Sequence, residues 1–300
     1  MVGRGLVGSR RQAVISMKHW QKFTLPINGL KLTCYRSGAD KPPVVLVHGF
    51  TDNALYWTQA ALALAEHFEV IAYDARGHGT SDRIGGRFAD EDRVSDLLGV
   101  LNTLGLEAPG LIGHSMGGAT VALFAAQHPA RARFLVLEDP AWYEPEATHT
   151  PEEIAAFEAQ RRSDFQTWRE RIRAQQTGTA EEALKYVQAE HPTWSLANQQ
   201  LSRDAKQQVD ITVFDYYPKL WSPWRALAPQ LPCPTLLVIG ERSLGGIITP
   251  EQAAEAASLN PRLRWAQIAG AGHSIRYEQF EAYMDTVLTF ALKAQAVHPL

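Results

Sequence analysis

Ser115 stands in the run Gly113-His114-Ser115-Met116-Gly117-Gly118, which has the form Gly-x-Ser-x-Gly. A short apolar run, Ala108 to Ile112, precedes it, and an alanine-rich segment that reads as a helix, Ala119 to Gln127, follows. Inside regular structure a serine hydroxyl is covered by its neighbours. On a tight strand-to-helix turn it stands clear, and small residues at Gly113, Gly117 and Gly118 let the two elements close beneath it. The backbone N–H of Met116 then sits at a helix N-terminus, aimed where negative charge develops on an attacked carbonyl oxygen. Taken alone, the motif reads equally simply as a glycine-rich turn that contains a serine, so its partners must carry the chemistry.

A serine nucleophile needs a base, and the base needs an orienting carboxylate. Among ten histidines, His273 is the best placed, following a strand near the C-terminus in Gly270-Ala271-Gly272-His273, a corner that lets an imidazole project. His19, His67, His128, His149, His191 and His298 fall on surface helices or tails, where solvation is the default. His48, His78 and His114 flank glycine turns and read as loop-orienting groups, with His114 pointing into the sheet packing.

These residues need a scaffold, and the hydrophobic pattern supplies one. Phe23 to Leu32 holds an Asn28-Gly29 turn signal between alternating segments, which predicts a hairpin at a sheet edge. Val44 to Val47, Val70 to Tyr73, the run before Ser115, Phe134 to Leu137, Thr235 to Ile239 and Trp265 to Ile268 are short aliphatic runs, as expected of parallel strands covered on both faces. Helical patterns over Tyr56 to Glu66 and Glu91 to Leu104 alternate with them. The expectation is an α/β fold with a mostly parallel, doubly wound sheet. Residues 141–229 break the rhythm: they lack aliphatic strand runs and carry helix starts at Thr150-Pro151-Glu152-Glu153 and Thr179-Ala180-Glu181-Glu182. The segment is rich in aromatics (Trp142, Tyr143, Trp168, Trp194, Tyr216, Tyr217, Trp221, Trp224), and an all-helical insertion between parallel strands falls at their C-terminal edge. The predicted organisation is an N-terminal extension without order over 1–19, a core from 20–140 and 230–295, and a helical cap over 141–229.

By its motifs the chain resembles the α/β-hydrolase fold superfamily. His48-Gly49-Phe50, Asp74-Ala75-Arg76-Gly77-His78-Gly79, the Ser115 motif and Gly270-Ala271-Gly272-His273 come in that superfamily's order and at its spacing, across roughly residues 23 to 290. The resemblance implies an oxyanion hole from the backbone N–H groups of Phe50 and Met116, and a structural turn around Asp74 and Arg76. It speaks for the fold and not for one reaction. The chain departs from the pattern at the acid. Most relatives carry a carboxylate where this chain has Ser243, and a neutral hydroxyl cannot stabilise an imidazolium. A minority place the acid after the preceding strand, which here ends Leu135-Val136-Leu137-Glu138-Asp139-Pro140. The expected triad is therefore Ser115, His273 and Asp139, with Glu138 and Glu241 as alternatives. Successive side chains alternate sides at a strand end, which sets Glu138 against Asp139.

Three hundred residues, 45% hydrophobic and 20% charged, suffice for one large domain with an insertion. A net charge of −3 gives no electrostatic case for nucleic acid or an anionic membrane. No apolar run approaches the ~20 residues of a membrane span. Cys34 and Cys233 lie far apart beside apolar runs and read as buried free thiols, which fits a reducing cytoplasm. There is no metal-ligand cluster, Walker lysine or dinucleotide fingerprint, so no cofactor and no metal are expected. The partner is a small-molecule substrate, and the chain is expected to act as a monomer or homodimer.

Three functions fit. The first is an esterase or lactonase working through an acyl-enzyme on Ser115, with an apolar or aromatic substrate contacted by Trp142, Tyr143 and His114. The second cleaves a carbon–carbon or amide bond in a ring-cleavage product. Relatives that carry the acid on the earlier strand include such hydrolases, and Arg161, Arg162, Arg169, Arg171 and Arg173 could meet a carboxylated substrate, or else form a solvated helix face. The third is a non-catalytic ligand receptor on the same fold. A dehalogenase is disfavoured, because its nucleophile would be an aspartate where Ser115 stands.

Overall fold

The structure is a computed structural model that describes residues 17, 20–144, 150–216 and 223–297. Apart from Met17, the expected extension over 1–19 lies outside the described residues, as do His149, Tyr217, Trp221 and His298.

Eight strands form a single sheet: β1 (Gln21–Ile27), β2 (Leu30–Arg36), β3 (Pro43–Val47), β4 (Glu69–Tyr73), β5 (Gly110–His114), β6 (Phe134–Glu138), β7 (Thr235–Ile239) and β8 (Leu263–Gln267). Their spatial order is β1-β2-β4-β3-β5-β6-β7-β8. β2 pairs antiparallel with both β1 and β4, and every other pair is parallel. The hairpin stands at the edge, turned by Asn28 and Gly29 at φ 49° and 82°, which asparagine and glycine tolerate. The Asn28 side chain also donates to Asp96 at 2.9 Å.

Alternation along β3 explains why the short runs are apolar throughout. Val45 and Val47 face one layer, with helices α2 (Asp90–Thr103), α3 (Met116–Gln127) and α8 (Pro250–Leu259). Val44 and Leu46 face the other, with α1 (Thr58–Leu64) and α10 (Phe280–Val297). Both faces are covered, so no position can be polar without a partner. Most boundaries differ from expectation by a residue or two, and the last strand, expected over Trp265 to Ile268, spans Leu263–Gln267. The strand before Ser115 runs on through His114, because Gly113 and His114 still pair with Leu137 and Glu138 of β6. A 3₁₀ turn over Ala54–Trp57 precedes α1. Cys34 and Cys233 are free and buried.

Between β6 and β7 the described chain is helical: α4 (Pro151–Thr177), α5 (Ala180–Glu190), α6 (Leu196–Gln208), a 3₁₀ turn (Ile211–Tyr216) and α7 (Trp224–Leu227). Thr150 and Glu153 cap α4 reciprocally with Pro151 at its first position, and Thr179 and Glu182 do the same for α5. α6 is tied to the core by Asn53 to Gln208 at 2.9 Å and Asn198 to Gln59 at 3.3 Å. The end of the segment belongs to the sheet layer instead, with Trp224 and Leu227 buried in the core beside α8. No described helix is long and apolar enough to cross a membrane.

Candidate active site

Ser115, Asp139, His273 and Phe50 each lie beyond the C-terminal end of a strand, where open α/β sheets place ligands. Ser115 follows β5 with φ 53° and ψ −116°, a conformation that costs a non-glycine residue about 1–3 kcal/mol and persists only where the surroundings impose it. Backbone hydrogen bonds hold it here, including one of 3.0 Å from the Ala141 N–H to Ser115 O. The Ser115 N–H donates to Glu138 O at 2.9 Å, and Ser115 O accepts from Ala119 N at 3.0 Å. The glycines leave no alternative packing: a Cβ at Gly117 would collide with the Val47 carbonyl, and one at Gly113 with the Gly117 backbone.

Asp139 follows β6, also at positive φ, 39°. It is fully buried. Its Oδ2 meets His273 Nδ1 at 2.7 Å and accepts the Ile247 N–H at 2.8 Å, while Oδ1 accepts the Ile248 N–H at 3.0 Å. Glu138 points to the opposite side. It accepts from Arg276 Nη1 at 2.7 Å in a fully buried pair, and the guanidinium lies over the Trp57 ring at 4.0 Å. Glu241 accepts the Gly270 N–H at 2.7 Å. The structure therefore brings Asp139, and neither alternative carboxylate, to His273. Burial acts to lower the His273 pKa, but the Asp139 hydrogen bond and the charges of Asp139, Asp52 and Glu138 outweigh it and hold the imidazole above its ordinary 6.5.

The Phe50 amide is oriented by His48. His48 Nδ1 meets Gly49 O at 2.7 Å, and its Nε2 accepts the Ala75 N–H at 2.9 Å. The planar peptide then turns the Phe50 N–H to the opposite side. Burial, with the neighbouring His78, pushes the His48 pKa down to about 3, so the ring stays neutral and its hydrogen-bonding roles are fixed. The Met116 N–H opens α3, where a helix leaves its first amides without intrahelical partners. The Asp74 turn is structural in its contacts: the carboxylate takes the Ala54 and Thr80 amides, and Arg76 grips Asp96 through two 2.6 Å bonds.

Ser115, His273, Phe50 and Met116 line one cavity of about 710 Å³. Its far wall is α4, through Phe157, Arg161, Phe165 and Trp168. The Phe50 ring packs against Phe165, Trp168 and Phe214, with centroids 5.1, 5.3 and 4.9 Å away. Trp142 and Tyr143 line the cavity. Trp142 is almost wholly buried and stacks on Trp224 at 5.9 Å. His114 is the correction. It is not among the lining residues, because its ring is buried behind His273 with Nδ1 3.2 Å from Asp52 Oδ2. Of the α4 arginines, Arg162, Arg169 and Arg171 pair with Glu158, Asp215 and Glu190, and Arg161, on the cavity wall, also lies over the Tyr143 ring at 3.8 Å. His191 is not solvated as expected but stacks on Trp194 at 3.7 Å. Phe165 and Asp52 were not singled out in the sequence. The first sits on a helix whose pattern is mostly polar, and the second in a loop with no motif of its own. Among the described residues no group of three or more His, Cys, Asp or Glu side chains is arranged to hold a metal.

The family model described as alpha/beta hydrolase fold matches residues 42–279. The chain belongs to that family and is an enzyme of the α/β-hydrolase type. The N-formylmaleamate deformylase of Pseudomonas putida is 26% identical over 263 residues, covering 85% of this chain and 91% of that protein. The 2-(acetamidomethylene)succinate hydrolase of Mesorhizobium japonicum is 30% identical, but over only 42% of this chain and 45% of that protein. Among solved structures, an esterase from Thermogutta terrifontis is 26% identical, with a TM-score of 0.69 over 91% of this chain and 99% of that one. An enol-lactonase from Burkholderia xenovorans, 24% identical with a TM-score of 0.69 over 90% of this chain and 99% of that one, shares the fold.

Proposed function

We propose that the chain is a serine hydrolase of carboxylic esters or lactones of small, apolar or aromatic substrates. The helices α4, α5 and α6 of the segment 141–229 act as a cap over the site. His273 takes the Ser115 proton as Oγ attacks the acyl carbon, and Asp139 holds the imidazole in the correct tautomer and stabilises the imidazolium. The oxyanion is received by the Phe50 and Met116 N–H groups. The leaving alkoxide takes the proton from His273, and water activated by the same histidine then releases the acid and frees Ser115. The observation that carries this reading is the 2.7 Å contact of Asp139 with His273 in the cavity that Ser115 opens into. The aromatic wall around Phe165 and Trp168 supports the substrate class.

The experiment is hydrolysis of a short-chain p-nitrophenyl ester by wild type beside Ser115→Ala, followed by a panel of lactones. Turnover in the wild type that the substitution abolishes is the expected result and also removes the receptor reading. Hydrolysis that survives Ser115→Ala would overturn it. A second reading, amide cleavage in a carboxylated substrate, is favoured by the extent of the match to the P. putida deformylase and by Arg161 on the cavity wall. Formate release from N-formylmaleamate, lost in Ser115→Ala and faster than any ester, would select it.

A further inference from the structure

Behind His273 lies a second histidine–carboxylate pair that the reaction does not consume. His114 closes β5 immediately before Ser115, and Asp52 lies in the loop after β3 that carries Phe50. His114 Nδ1 meets Asp52 Oδ2 at 3.2 Å, and its Nε2 meets the main-chain carbonyl of His273 at 3.1 Å. The two imidazoles lie ring to ring, with centroids 4.6 Å apart. Both His114 and Asp52 are buried, at 3% and 6% exposure.

We propose that Asp52 and His114 are positioning residues, holding the backbone and ring of His273 so that Nε2 is presented to Ser115 while Nδ1 stays on Asp139. The proposal rests on the serine hydrolase reading above. His273 follows a glycine corner, with Gly270 at φ 73°, and precedes α9 (Ile275–Glu278), so neither strand nor helix fixes its peptide. Asp139 grips one ring atom, about which an imidazole can still swing. The carbonyl bond from His114 and the contact between the rings supply the further constraints. Asp52 Oδ2 also accepts the Gly49 N–H at 3.2 Å. Nucleophile turn, base and oxyanion loop are thus joined through one carboxylate.

The pair also bears on charge. His273 is faced by Asp139 and Glu138 from the end of β6 and by Asp52 from the β3 loop. Asp52 is faced by His114, by Arg276 of α9 and by Lys206 of α6. Burial acts to raise the Asp52 pKa, but the His114 bond and those cations hold it well below the carboxylate range, so it stays ionised and favours the imidazolium of His273.

The test combines ester hydrolysis with a ¹⁵N-histidine NMR titration of His273 in wild type, Asp52→Asn, His114→Gln and His114→Asn. A glutamine amide can replace Nε2 and keep the bond to the His273 carbonyl, whereas the shorter asparagine replaces Nδ1 and reaches only Asp52. Expected are a kcat near wild type for His114→Gln, a loss of about tenfold to a hundredfold in kcat with little change in KM for His114→Asn, and a lower His273 titration midpoint in Asp52→Asn. An unmoved midpoint together with equal kcat values for the two His114 variants would overturn the proposal, whatever their thermal stability. A wild type that neither turns over ester nor labels at Ser115 with a fluorophosphonate sinks the serine hydrolase reading instead. The His273 titration still decides the role of Asp52 in that case.

Discussion

At the scale of single residues, Glu138 and Asp139 are chain neighbours with different work. Asp139→Asn is expected to lower kcat by about 10⁴. Both its oxygens accept backbone amides, and an NH2 cannot, so a stability loss of about 1–3 kcal/mol should accompany it; Ser243→Ala should be neutral in both. Glu138→Gln should do the reverse, costing about 3–5 kcal/mol by leaving Arg276 a buried unpaired cation, with catalysis altered far less per folded molecule. Urea unfolding beside ester kinetics separates the two. The pH dependence follows from the raised His273 pKa. The base works when neutral, so kcat/KM falls as acid protonates it, with a midpoint above 6.5. Asp139→Asn removes what raises that pKa, and the residual activity should show its acidic midpoint at lower pH. A midpoint that stays put would mean that another carboxylate holds the imidazole. Ser115 and His273 are legible as candidates in the sequence because each follows a strand run in a recognisable turn, whereas the sequence leaves Asp139 beside Glu138 and Glu241 as candidate acids and only the fold brings one of the three to His273. His114 was read both as turned into the sheet packing and as a substrate contact; the structure keeps the first, and its partner Asp52 could not be found because that residue stands in a loop with no motif of its own.

At the scale of elements, the sheet was readable and the turns beside it less so. Runs such as Val44 to Val47 are apolar on both faces because both faces are covered, and length separates them from helices. The 3₁₀ turn over Ala54–Trp57 merges into α1 in the helical pattern, since both bury residues at similar spacing. α4 extends over 27 residues with only Ile172 and Gln175 buried, so its weak periodicity showed a helix but not which side faces the cavity. The Ser115 turn yields a prediction at this scale. Gly117 packs against the end of β3, and Gly117→Ala forces a methyl into the Val47 carbonyl. Overpacking of about 1–3 kcal/mol, visible as a lower Tm, should come with a loss of kcat, because α3 can move off β3 only by shifting Ser115 at its start. A variant with wild-type Tm and kcat would show that the elements are less closely coupled than their contacts imply.

At the scale of the whole molecule, the cavity has two walls from different parts of the chain, the sheet end with Ser115 and His273 and the insertion with Phe165 and Trp168. Trp168→Ala should therefore raise KM and broaden the accepted acyl length while leaving hydrolysis of an acetyl ester near wild type, measured over a series of p-nitrophenyl esters. An unchanged chain-length profile would place the bound acyl group elsewhere. The two thiols have a practical consequence of another kind. Burial, before any neighbouring charge, pushes both Cys34 and Cys233 up to about 12, and only a thiolate alkylates readily. The natural chain is thus close to silent toward maleimides at neutral pH. Leu244 is 53% exposed, next in sequence to Gly245 on the cavity rim. A cysteine introduced there would be the one fast-reacting thiol, and a dye attached to it would report by its emission when the cavity fills.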